Sequence, residues 1–101
     1  MTNVKLNRFK TALAVATLAL SCLASASDKP TVVLVHGAFA ESSSWNAVAA
    51  TLKQQGYPVI AAANPLRSLS ADADYVSSVV KQTAGSVVLV GHSYGGAVIS
   101  N

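Results

Sequence analysis

The stretch Val87-Val88-Leu89-Val90-Gly91-His92-Ser93-Tyr94-Gly95-Gly96-Ala97-Val98-Ile99 decides how the whole chain is read. Its first four residues are aliphatic, uncharged and continuous, as in a buried strand, and its last three begin a helix. Between them stands Gly-x-Ser-x-Gly, and the strand-to-helix setting gives that pattern chemical meaning. Such a turn is tight enough that Gly91 and Gly95, two residues either side of the serine, are needed to avoid steric clash. The strained turn lifts the Ser93 oxygen above the C-terminal edge of a sheet. The helix N-terminus behind it favours developing negative charge. Ser93 is the candidate nucleophile. The glycines could also suggest a phosphate loop, but the Gly-Lys-Ser/Thr of that motif is missing.

A nucleophile of this kind generates an oxyanion, and rigid backbone N–H groups are well suited to hold it. One donor is expected from Tyr94, the residue after the serine. The other is expected from the loop after the first strand, Thr31-Val32-Val33-Leu34-Val35, a β-branched run bounded by Pro30 and Gly37. In Leu34-Val35-His36-Gly37-Ala38-Phe39 the donor position falls on Ala38. Gly37 keeps the loop slim. His36, Gly37 and Phe39 are candidate pocket residues, with Phe39 placed to wall the acyl side.

The residues between these motifs alternate in the same way. Ser42, Ser43 and Ser44 offer helix N-caps, Trp45, Val48, Ala49 and Leu52 form an apolar stripe, and Gly56 suits a left-handed C-cap. Val59-Ile60-Ala61-Ala62 reads as a second strand, broken by Asn64-Pro65-Leu66. A second helix follows, capped by Ser68 or Ser70, with Asp72 and Asp74 near its start, an apolar stripe of Leu69, Ala73, Val76 and Val80, and Gly85 as its stop. Strand–helix–strand–helix–strand–helix predicts parallel βαβ units, with a sheet covered on both faces. The fold class is α/β, with three parallel strands and flanking helices. Three strands bury little area and leave an apolar edge exposed, so the expectation is a partial fold that stops just after the elbow.

VLVHGAF, the SSSW helix start, the GYPV strand start, NPL and VVLVGHSYGGAVI together resemble the N-terminal half of an α/β-hydrolase, over Pro30 to Asn101. They are similar in particular to small bacterial esterase-like hydrolases related to plant methylesterases and hydroxynitrile lyases. The resemblance implies strands 59–62, 31–35 and 87–90 side by side in that order. It also implies a Ser–acid–His triad, of which only Ser93 and the oxyanion positions Ala38 and Tyr94 map onto this sequence. The implied activity is hydrolysis of a small carboxylic ester. Lyase-like or haloperoxidase-like chemistry on the same residues, and a non-catalytic remnant, are the rival readings.

A serine nucleophile needs a base and an orienting acid. The eight residues after Ser93 contain no Asp, Glu or His. His92 is expected to point away from the serine oxygen and pack against neighbouring strands, and His36 to be a hydrogen-bonded structural residue. Asp72 and Asp74 read as acids serving the helix dipole, Glu41 as solvated, and Trp45 as core. The expectation is a nucleophile and oxyanion hole without a charge relay, hence a chain inactive by itself. Two isolated histidines form no metal site, and the pattern calls for no cofactor.

The chain of 101 residues carries 7 Lys+Arg against 4 Asp+Glu, for a formal charge of +3, and one Cys. Lys5, Arg8 and Lys10 precede Ala26 with no acid among them. The other four basic residues are matched by Asp28, Glu41, Asp72 and Asp74. The excess charge is therefore no nucleic-acid surface. It stands before the apolar run Thr11 to Leu23, which is shorter than the roughly 20 residues of a membrane span. That run ends in Ala24-Ser25-Ala26, and the combination predicts a secretory signal peptide over residues 1–26, with the hydrolase-like domain over 27–101. The expected location is periplasmic or secreted. The alternative is a lipoprotein anchored through Cys22, since Leu18-Ala19-Leu20-Ser21-Cys22 resembles a lipidation signal. Otherwise no membrane partner is expected, and the partner is a small-molecule ester.

Overall fold

The computed structural model describes residues 29–101. The signal-peptide reading of residues 1–26 and the Cys22 alternative lie outside them. Strand β1 (Thr31–Val35) runs through the centre, and all five of its residues are buried. Strands β2 (Val59–Ala62) and β3 (Val87–Gly91) pair with it in parallel, in the order β2-β1-β3. This is the expected order. A continuous aliphatic run suits the central position because both of its faces must be apolar.

The register sorts the side chains. Val33 and Val35 pair with Ile60 and Ala62 on one side and with Leu89 and Gly91 on the other, and so share a face. That face holds the core cluster of Val33, Val35, Ala62, Val76 and Val98, supplied by helices α2 (Leu69–Gln82) and α3 (Tyr94–Ile99). Val32 and Leu34 face the opposite way, toward a 3-10 turn (Ser42–Trp45) and helix α1 (Asn46–Gln54). Coverage on both faces holds for β1 alone. Ile60, Val88 and Leu89 on the flanking strands are exposed.

The helix ends show which local signals were used. Gly56, at φ +89, ends α1 in a Schellman arrangement: its N–H donates to Lys53 O (3.0 Å) and the Tyr57 N–H to Leu52 O (3.1 Å). Lys29 adds its ammonium there, donating to Gln55 O and lying 4.7 Å from the Tyr57 ring centre. Ser68 caps α2, its Oγ accepting from the Ala71 N–H at 3.0 Å. The serine run does not cap α1, contrary to expectation. Ser44 Oγ donates to Glu41 O (2.6 Å) and Ser43 Oγ to the Glu41 carboxylate, which folds residues 42–45 into the 3-10 turn. The α-helix then starts after Trp45, whose side chain caps nothing.

Candidate active site

The site lies where β1 and β3 end. Ser93 joins β3 to α3 at φ 55, ψ −122, a left-handed backbone that a side-chain-bearing residue adopts only under strain. The turn is closed by the Gly95 N–H on His92 O (2.9 Å) and the Gly96 N–H on Ser93 O (2.9 Å), and Ser93 itself is exposed. Steric need for the flanking glycines is severe. A Cβ on Gly91 would stand 2.5 Å from the Gly95 carbonyl, and one on Gly95 would stand 2.2 Å from Val35 O and 2.9 Å from His36 O. The second pair of distances shows the end of β1 lying directly against the start of α3.

That crossing brings the two motifs together. A Cβ on Gly37 would lie 3.4 Å from both His92 O and Ser93 Cβ. This is ordinary contact, so slimness at Gly37 matters less than the sequence suggested. Ala38 follows at the exposed tip of the same turn, which is closed by the Ala40 N–H on Gly37 O (3.3 Å). Among the described residues, the Ala38 and Tyr94 N–H groups have no hydrogen-bond acceptor. Asn64, buried after β2, supports the loop from below, its Nδ2 lying 3.5 Å from His36 O.

The candidate pocket residues separate. His36 is buried, with Nδ1 2.8 Å from Gly37 O, as expected of a structural histidine. Phe39 stands exposed at the turn tip, outside the linings of the two cavities described beside the elbow. His92 is also exposed instead of packed between strands. Its ring meets Trp45 edge-on at 6.5 Å, and with His36 and Val48 these two line a cavity of about 290 Å³. Trp45 thus sits at a cavity wall, with its Nε1 buried and unpartnered among the described residues. Neither histidine hydrogen-bonds Ser93 Oγ.

Asp72 is the residue that sequence reasoning misjudged. It is 0% exposed. Its Oδ2 accepts from the Tyr94 hydroxyl at 2.9 Å and its Oδ1 from the Arg67 N–H at 3.2 Å. Partial burial, and then the hydrogen bond and charge of Asp72, push the Tyr94 phenol above its ordinary value of 10.0. The signal was present in the sequence, because Asp72 stands three residues after Leu69 and four before Val76, on the apolar stripe itself. Asp74, on the outer face, is solvated.

A parallel sheet that presents a serine on a strained strand-to-helix turn, with a glycine loop from the neighbouring strand against it, defines the nucleophile-elbow class of α/β folds. Residues 32–101 match the family model described as the alpha/beta hydrolase family, which covers most of the chain. The chain belongs to the alpha/beta hydrolase family. Comparison with curated proteins and with solved structures returned no match.

Proposed function

We propose that this protein is an exported serine hydrolase acting on small carboxylic esters. The observation that carries the reading is the backbone of Ser93, at φ 55 and ψ −122, with Gly37 against its Cβ. Strain of this kind costs about 1–3 kcal/mol and is retained where it serves a site. Ser93 Oγ attacks the ester carbonyl and gives its proton to a histidine base. The N–H groups of Ala38 and Tyr94 receive the resulting oxyanion. Collapse expels the alcohol, which takes the proton back, and water then hydrolyses the acyl-serine by the same route.

The base and its orienting acid are proposed to come from a segment C-terminal to α3, as the resemblance to the family implies. Residues 29–101 alone are accordingly proposed to be inactive. Export rests on Lys5, Arg8 and Lys10 before the apolar run and on the Ala24-Ser25-Ala26 site. The test is hydrolysis of p-nitrophenyl acetate by the full natural chain, with covalent labelling by an alkyl fluorophosphonate. Both are expected in the wild type and both should vanish in Ser93→Ala. An unlabelled wild type, or a labelled Ser93→Ala, overturns the reading. Mass spectrometry of the exported form should find Ser27 at its N-terminus, and a lipidated Cys22 would replace that expectation with an anchored protein.

A further inference from the structure

Two side-chain-bearing residues among those described have left-handed backbone, Leu66 at φ 58 and Ser93 at φ 55. The residue after each is held by the same carboxylate, Arg67 through its N–H and Tyr94 through its hydroxyl. That carboxylate belongs to Asp72, a fully buried residue on the apolar stripe of α2. Burying a carboxylate is costly unless hydrogen bonds compensate it. An apolar residue would serve packing at this position, and an exposed acid would serve the helix dipole. Neither accounts for an acid placed inside, with one oxygen turned to each strained segment.

The two held segments face one another across a cavity of about 350 Å³ lined by Ala38, Leu66, Arg67, Ser68, Leu69 and Tyr94. Ala38 and Tyr94, whose N–H groups have no acceptor among the described residues, both contribute to its wall. We propose that Asp72 is a positioning residue for Ser93. Acting through the Tyr94 hydroxyl, it fastens the elbow to the 64–68 loop and sets where the Tyr94 N–H and the cavity wall stand relative to the serine oxygen. The inference rests on Ser93 being the nucleophile. Asp72 itself touches no substrate. The phenol is raised above its ordinary value of 10.0, so the hydroxyl keeps its proton and the fastening persists through the neutral range.

The experiment follows fluorophosphonate labelling of the full natural chain over time, for wild type, Tyr94→Phe and Asp72→Asn. In the labelling step Ser93 Oγ bonds to phosphorus, fluoride leaves, and the hydroxyl proton passes to the base. Tyr94→Phe keeps the ring packed and removes only the hydroxyl, so it carries the test if substitution at buried Asp72 unfolds the chain. Both variants are expected to reach wild-type labelling stoichiometry with a rate constant lower by about tenfold, since small misplacements of reacting groups cost factors of that order or more. A merely structural role would instead lower the fraction labelled and leave the rate of the folded fraction unchanged, and that result overturns the proposal. Wild-type rates in both variants overturn it while leaving the nucleophile standing. An unlabelled wild type removes the nucleophile and the positioning role together.

Discussion

At the residue scale, the elbow separates glycines that geometry demands from one that it merely accommodates. A methyl on Gly95 would meet main-chain oxygen at 2.2 Å, and neither β1 nor α3 can retreat without loosening the core around Val35 and Val98. Gly95→Ala is expected to cost about 3 kcal/mol or more, because overpacking against backbone cannot relax by a rotamer change. At Gly37 the contact is 3.4 Å. Gly37→Ala is expected to lose less than about 1 kcal/mol by urea denaturation, and equal losses at the two positions would contradict this reading. Tyr94 adds a pH dependence. Its phenol is raised above 10.0 in the folded chain, so the stabilisation from its bond to Asp72 is complete below that value. It is lost as pH rises through the folded value. Melting temperatures of wild type and Tyr94→Phe are therefore expected to differ by a constant amount from pH 7 to 9 and to converge above about pH 10. The strained turn at Ser93 and the need for Gly91 and Gly95 around it were legible because a tight strand-to-helix turn is tied to local spacing. The Asp72–Tyr94 bond spans 22 residues, and only the misplaced charge on the stripe of α2 hinted at it.

At the element scale, helix starts depend on which competitor claims the capping oxygen. Ser68 has extended backbone, and its Oγ accepts from the Ala71 N–H, so it satisfies one of the free donors of α2. Ser68→Ala is expected to destabilise the chain by about 1 kcal/mol in urea denaturation. The Ser42–Ser44 run looks like a better cap by composition. There, however, the hydroxyls of Ser43 and Ser44 turn back to Glu41, and no serine caps α1. Ser42→Ala is expected to change stability by less than about 0.5 kcal/mol, and a loss equal to that of Ser68→Ala would contradict the assignment. The strands and the C-terminal stop at Gly56 were legible because a continuous aliphatic run and a positive φ each have few solutions, whereas α2 ends at Thr83 in extended backbone, two residues before Gly85. The 3-10 turn was not, since periodicity through Trp45, Val48, Ala49 and Leu52 describes a face and not the residue at which the helix begins.

At the scale of the whole described unit, the sheet is well closed only at its centre. β1 is flanked on both sides and covered on both faces, whereas β2 and β3 are edge strands among the described residues. Their exposure follows from where the helices sit. α2 and α3 lie over Val33 and Val35, but Val88 and Leu89 of β3 remain 45% and 37% exposed. An apolar edge strand with free backbone donors and acceptors templates pairing with another chain, and natural sheets blunt such edges with charge. β3 carries none. A polypeptide limited to residues 29–101 is therefore expected to self-associate at micromolar concentration, as seen by light scattering after size-exclusion chromatography. Val88→Lys should shift it toward monomer, because the ammonium would have to be desolvated for a second chain to dock beside β3. Val88 tests the edge without touching the site, since its side chain faces away from the Val33 and Val35 face on which Tyr94 packs. If Val88→Lys associates as strongly as the parent while Ile60→Lys does not, the template is β2. A parent polypeptide that stays monomeric throughout would show that exposed area on these two strands is too small to drive association.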